Sequence, residues 1–240
     1  MKTLLLTTAF AIAGTAAMAQ DVVRLGTEGA YPPYNFINDA GDVDGFEIVL
    51  GNELCARAEL TCEWVTNDWD SIIPNLVSSN YDVIMAGMSI TDERDEVIDF
   101  TQNYIPPAAS AYAGMDEGAD LTGGVIAAQV NTIQAAHVAA SGATLLEFAT
   151  PDETVAAVRN GEADAVFADK DYLVPVVEEN ADLMFVGDDV PLGGGVGAGI
   201  RESDGELREA LDAAIQSMKD DGTLNALIIE WFGEEAAIYE

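Results

Sequence analysis

Residues 81–94 read YDVIMAGMSITDER, and their order decides how the rest of the chain is read. Val83, Ile84 and Met85 make a short continuous apolar run, bounded by Asn80 and Gly87. That is the pattern of a strand covered on both faces in a parallel sheet. Ser89 and Arg94 follow the run at once. In open α/β sheets, ligands sit beyond the carboxyl ends of the strands. A buried strand that ends on a hydroxyl and a guanidinium therefore points to a binding edge.

The same grammar recurs on both sides. Upstream, VVRLGT from Val22 reads as a strand and is followed by EGAYPPYNF. FEIVLGNELCARAE has apolar residues at helical spacing (Phe46, Val49, Leu50, Leu54), and CEWV reads as the next strand. WDSIIPNLVSS is predicted helical, with Pro74 limiting its regular part. Downstream come strand GVIAAQ, helix TIQAAHVAA and strand TLLEFA. Thr150-Pro151-Asp152-Glu153 is a capping box with proline at the first helical position, and Gly161 closes that helix. DAVFAD is a strand, DYLVPVVEEN a helix, LMFVG a strand and GGGVGAGIR a glycine-rich return strand. Alternating strands and helices predict an α/β fold with mostly parallel sheets.

The residues just past the strands offer one coherent chemistry. Arg94 can form a two-pronged, charge-assisted pair with a carboxylate. Ser89, nearby backbone N–H groups and Thr132 at a helix N-terminus can donate to the same carboxylate. Asp169 can accept from an ammonium group. Tyr31 and Trp69 can supply flat apolar walls, and Glu28 a second anion for a polar or cationic tip. Gln129 lies at another of these strand ends. Each residue also has a plainer role open to it. Arg94 could be a surface ion-pair partner, Asp169 or Thr132 a helix cap, Tyr31 and Trp69 core aromatics, and Glu28 a solvated charge.

Composition sets the outer limits. The chain has 240 residues, nearly half of them hydrophobic, with 43 acidic residues against nine basic ones and a net charge of -34. Such a surface excludes nucleic acid as a partner, because phosphate binding needs a basic face. Residues 1–19 combine Lys2, an apolar run and Ala17-Met18-Ala19. This is the pattern of a cleaved secretory signal, with the mature chain starting near Gln20 or Asp21. The two cysteines, Cys55 and Cys62, lie close together in a chain expected in an oxidising compartment. They are either a disulfide or two buried thiols. Zinc is not expected, since His137 is the lone histidine, and no other metal or cofactor is expected.

Several segments together carry a resemblance: GTEGAYPPYNF, GFEIVLGNELCARA, WDSIIPNL, YDVIMAGMSITDER, DFTQNYI, RNGEADAVFAD and LREALDAAIQSMKDDGTLNALIIEWFG. In this order they are similar to the polar amino-acid-binding proteins of ABC importers, over almost the whole mature chain. The resemblance implies the type II periplasmic binding protein fold, with two lobes, two crossover strands and closure by a hinge. Lobe 1 is expected to comprise 20–106 and 192–240, and lobe 2 to comprise 107–191. The crossovers are expected near Ile105 to Pro107 and near Asp188 to Leu192.

The resemblance also assigns roles. Arg94 and Ser89 would hold an α-carboxylate, with help from Thr132. Asp169 and a carbonyl near Gly87 would hold the α-ammonium. Tyr31 and Trp69 would sandwich the side chain, and Glu28 stands where binders of cationic side chains keep an acid. Cys55 and Cys62 resemble the disulfide of the lysine/arginine/ornithine and histidine binders, and EGAYPPYNF resembles the opine binders. Three positions depart from the pattern. Ala86 and Gly87 replace serines of the basic amino-acid binders, and Asn131 stands where many members have glycine. The expected ligand is Arg, Lys, ornithine, His or an opine, with glutamine or another polar neutral amino acid as the alternative. The expected protein is a monomer in the periplasm that partners an ABC-importer permease of the inner membrane and catalyses nothing. The reading from another class is a cyclic-acid dehydratase on the same scaffold, for which Glu28 and Asp169 would be the available acids.

Overall fold

The computed structural model describes residues 22–240; the expected signal segment 1–19 and its cleavage site lie outside the described residues. Two five-stranded sheets organise the chain. In the first, the spatial order is Cys62–Thr66, Val23–Thr27, Val83–Ile84, Gly199–Ile200, Asp99–Phe100. The first three strands are parallel and the last two join antiparallel. The second sheet runs Thr144–Phe148, Val125–Gln129, Ala165–Asp169, Ala109–Gly114, Met184–Pro191, again three parallel strands followed by two antiparallel joins. The α/β class matches the expectation, but the sheets are not mostly parallel: each holds two parallel and two antiparallel pairings, because the segments that link the two sheets enter them as antiparallel strands.

Alternation along each strand explains why both sheets are covered twice. Val83 and Met85 pack into one apolar cluster with Phe46, Leu50 and Leu54, while Ile84 and Ala86 pack into another with Trp69, Ile72 and Leu76. Successive side chains point to opposite faces, so a run with no polar position must be buried on both. The helix Phe46–Arg57 covers one face, and the one-turn 3₁₀ segment Trp69–Ser71 leading into Ile72–Val77 covers the other. Pro74 falls in the first turn of that second helix, where its missing N–H costs nothing. The same division holds in the second sheet, where Ala127 and Val166 face one cluster and Ile126 and Phe167 the other.

The chain passes from the first sheet to the second between Phe100 and Ala109, and returns between Pro191 and Gly199. The two passages touch through an antiparallel bridge at Ile105 and Val196. Two predicted strands come out differently. The run after Ile84 stops being a strand before Gly87, whose φ of 63° turns the chain. GGGVGAGIR is a strand only at Gly199–Ile200, because Gly193 and Gly195 adopt φ of 72° and 91°, outside any extended conformation. Cys55 and Cys62 are joined by a disulfide with Cα atoms 6.3 Å apart. The capping box is present, with Glu153 Oε2 accepting from the Thr150 N–H at 3.1 Å. Among the described residues, no helix is long and apolar enough to cross a membrane.

Candidate functional site

The carboxyl ends of the two sheets face a shared cavity. Glu28, Tyr31, Trp69, Ala86, Gly87, Ser89, Arg94, Gln129, Thr132 and Asp169 line it, together with Ile133 and Gln134. All ten residues singled out in the sequence thus come together in space. Ile133 and Gln134 did not stand out. Their only signal was a place in the first turn after Thr132.

Arg94 shows why this arrangement is unusual for so acidic a protein. Arg24, Arg57, Arg159, Arg201 and Arg208 each pair with an Asp or Glu carboxylate. Arg94 pairs with none among the described residues. Its guanidinium instead donates to the Ser89 carbonyl at 2.8 Å and the Asn131 carbonyl at 3.3 Å, and lies 5.3 Å from the Trp69 ring centroid. Burial lowers its pKa to about 10, opposed by the charges of Asp169 and Glu93. A half-buried guanidinium held by carbonyls and an aromatic face still lacks an anion, and a ligand carboxylate would supply one.

Asp169 ends the strand Ala165–Asp169 and precedes the helix Lys170–Glu179, yet its side chain does not cap that helix. The carboxylate accepts from the Tyr31 hydroxyl and from Gln134 Nε2, each at 2.8 Å. One lone pair on each oxygen is therefore used, and further donors can still be accepted. Burial raises its pKa to about 6, against the lowering effects of the Tyr31 bond, Arg94 and Gln134. Tyr31 stacks on Tyr172 with ring centroids 4.5 Å apart, which fixes its ring where the cavity needs a wall.

Glu28 follows the strand Val23–Thr27. Its Oε1 accepts from Gln129 Nε2 at 2.6 Å. Burial raises its carboxyl to about 7; the Gln129 bond opposes this, and the charges of Asp68, Asp152 and Glu47 reinforce it. Thr132 is the N-cap of Ile133–Ser141. Its hydroxyl donates to the Gln129 carbonyl at 2.7 Å and accepts from the Ala135 N–H at 3.1 Å. The capping role is therefore realised, and the hydroxyl proton is already engaged. Asn131, at the position that often carries glycine, adopts φ of 58°. Asparagine tolerates this left-handed conformation better than most residues.

One buried group escaped the sequence reading. Glu47 is fully buried and accepts from Gly87 N–H, Asn35 Nδ2 and the Tyr104 hydroxyl. It holds the Gly87 turn from behind the cavity wall. A glutamate in the first turn of a helix ordinarily reads as a partner of the helix dipole, so nothing in the sequence marked it as buried.

The comparisons with known proteins agree with this geometry. The family of bacterial extracellular solute-binding proteins, family 3, matches residues 23–234. The octopine-binding periplasmic protein of Rhizobium meliloti is 31% identical, over 97% of this chain and 97% of that protein. The histidine-binding periplasmic protein of Escherichia coli (strain K12) is 32% identical, over 92% of this chain and 91% of that protein. A periplasmic His/Glu/Gln/Arg/opine family-binding protein from Silicibacter pomeroyi, solved in complex with lysine, has a TM-score of 0.89 and 77% identity. That comparison covers 90% of this chain and 100% of the solved chain. With a match across both sheets and the cavity between them, the chain belongs to the bacterial extracellular solute-binding proteins, family 3.

Proposed function

We propose that this protein captures an amino acid with a cationic side chain, or an opine built on one, in the periplasm and delivers it to an ABC-importer permease. The observation that carries the reading is Arg94, the arginine without a carboxylate partner among the described residues, in one cavity with Glu28 and Asp169. One fixed cation and two carboxylates complement a ligand with one carboxylate and two ammonium-type groups. Arg94 and the Ser89 segment would take the α-carboxylate, aided by the backbone at Thr132. Asp169 and the Gly87 carbonyl would take the α-ammonium. Tyr31 and Trp69 would hold the aliphatic stem, and Glu28 the cationic tip. The lysine bound by the Silicibacter pomeroyi protein, at 77% identity, supports the ligand class.

In this reading the two sheets are the cores of two lobes, 20–106 with 192–240 and 107–191, that close on the ligand. Residues 1–19 would be removed on secretion, and the mature protein would work as a monomer. The relatives' names describe binding proteins, which supports capture without turnover. A melting screen against lysine, arginine, ornithine, histidine, glutamine and octopine tests the reading. At a ligand concentration of 100 times Kd, the true ligand stabilises the protein by about 2.7 kcal/mol. Glu28→Gln should then weaken the cationic ligands more than glutamine. If no amino acid or opine raises the transition, the proposal fails.

A further inference from the structure

Gln129 ends the strand Val125–Gln129 in the second sheet, whereas Glu28 follows a strand of the first. Its amide nitrogen carries two hydrogens. Nε2 lies 2.6 Å from Glu28 Oε1 and 3.0 Å from the Ala149 carbonyl, so both hydrogens are engaged. The side chain is 8% exposed. With its donors used, Gln129 can offer a ligand nothing but its carbonyl oxygen, an acceptor. Glu28 keeps Oε2, also an acceptor.

We propose that Gln129 is a positioning and specificity-determining residue: anchored on the Ala149 carbonyl, it orients Glu28 from the opposite sheet, and the pair presents acceptors alone to the ligand tip. This deepens the function proposed above and rests on its placing of the tip at Glu28. A tip with several N–H donors, such as a guanidinium or ammonium, satisfies the pair. A carboxylate tip is rejected, because it would meet only acceptors and negative charge. An amide tip leaves its own oxygen unpaired there. Because the two partners come from different sheets, the tip site is complete only when the sheets approach. Selection for a cation is therefore made at closure.

The proposal also sets the charge state of Glu28. The Gln129 N–H favours the ionised carboxylate. Burial opposes it, as do the other acids that bear on Glu28, namely Asp68, Asp152 and Glu47. Tyr172, packed on Tyr31, also senses the Glu28 charge, and no basic side chain is among these groups. Gln129 is thus the neutral donor that offsets acidic surroundings.

The test is the pH profile of affinity, measured by calorimetry between pH 5 and 8.5 for arginine and for its neutral isostere citrulline. It uses the mature protein, Gln129→Leu and Glu28→Gln. In the unsubstituted protein, arginine affinity falls below a midpoint near neutrality. In Gln129→Leu that midpoint moves up by at least half a unit, and the arginine-to-citrulline preference at pH 7 drops at least tenfold. In Glu28→Gln the midpoint near neutrality disappears and only the lower one, from Asp169 at about 6, remains. A Gln129→Leu protein that loses arginine and citrulline equally at every pH, with its midpoint unmoved, overturns the positioning role and leaves the proposed function standing. Failure of the unsubstituted protein to bind arginine, together with no shift from any amino acid or opine in the melting screen, would strike the proposed function itself. Gln129→Asn serves as the second variant should Gln129→Leu fold poorly. It keeps the amide on a shorter arm that cannot span Glu28 and Ala149, and it is expected to move the midpoint in the same direction.

Discussion

At the scale of single residues, context narrows what an ambiguous side chain can do. Arg94 looks the same in the sequence as any other arginine, and only the pairing of the other five with acids shows that it is held back. Arg94→Ala should abolish binding of every candidate ligand, cationic or neutral, with a loss of at least 100-fold by calorimetry. Removing one partner of a buried charge pair costs roughly 2–5 kcal/mol. Arg94→Lys should restore little, since a point charge cannot grip a carboxylate with two parallel bonds. An effect confined to cationic ligands would contradict its assignment to the carboxylate. The carboxyls give a pH prediction. Glu28 rises from 4.5 to about 7 and Asp169 from 3.8 to about 6 in the unliganded protein. Groups raised on folding contribute stability below their unfolded values and lose it as pH climbs through the folded ones. A cationic ligand needs both ionised, so its stabilising effect should grow from pH 5 to 7.5 in a melting series. A shift that is flat across that range would count against both carboxylates as ligand contacts.

At the scale of elements, the strands and helices were largely legible because their signals are local. An unbroken apolar run marks a doubly covered strand, and Thr150 to Glu153 marks a helix start. The cases that went astray depended on dihedral angles. The left-handed turn at Gly87 and the positive φ values at Gly193 and Gly195 shorten strands that the apolar pattern alone extends. Glu47 was illegible for a different reason. Its burial follows from Asn35, Gly87 and Tyr104, which are far from it in sequence. The disulfide belongs to this scale too. It ties the helix Phe46–Arg57 to the strand Cys62–Thr66 across a separation of seven residues. Neither cysteine lines the cavity. Replacing both with alanine should cost about 2–3 kcal/mol by the loop-closure argument and leave ligand affinity unchanged. Denaturant unfolding and calorimetry together check this; a large drop in affinity at preserved fold would show that the link shapes the site.

At the scale of the whole molecule, charge and the contacts between the two sheets dominate. The net charge of -34 was readable from composition, and it implies self-repulsion in the folded state. Raising salt from about 0.1 to 1 M shortens the screening length from about 10 to 3 Å, so the melting temperature should rise with salt. A melting temperature that falls with salt would contradict this. The contacts between the two sheets were not readable from local patterns, because they join distant segments. Tyr31 reaches Asp169, Tyr34 reaches Asp171, and Gln129 reaches Glu28, each joining a residue before 35 to one beyond 128. These bonds link the two sheets around the cavity, and Arg94 makes no ion pair there among the described residues. The most direct test of the central claim is a calorimetric titration of the purified mature protein with arginine and lysine, and with their neutral isosteres citrulline and 2-aminoheptanoic acid. The account predicts one equivalent of arginine or lysine bound, with each isostere at least tenfold weaker. Equal or tighter binding of the isosteres, or no binding of any of the four, would contradict it.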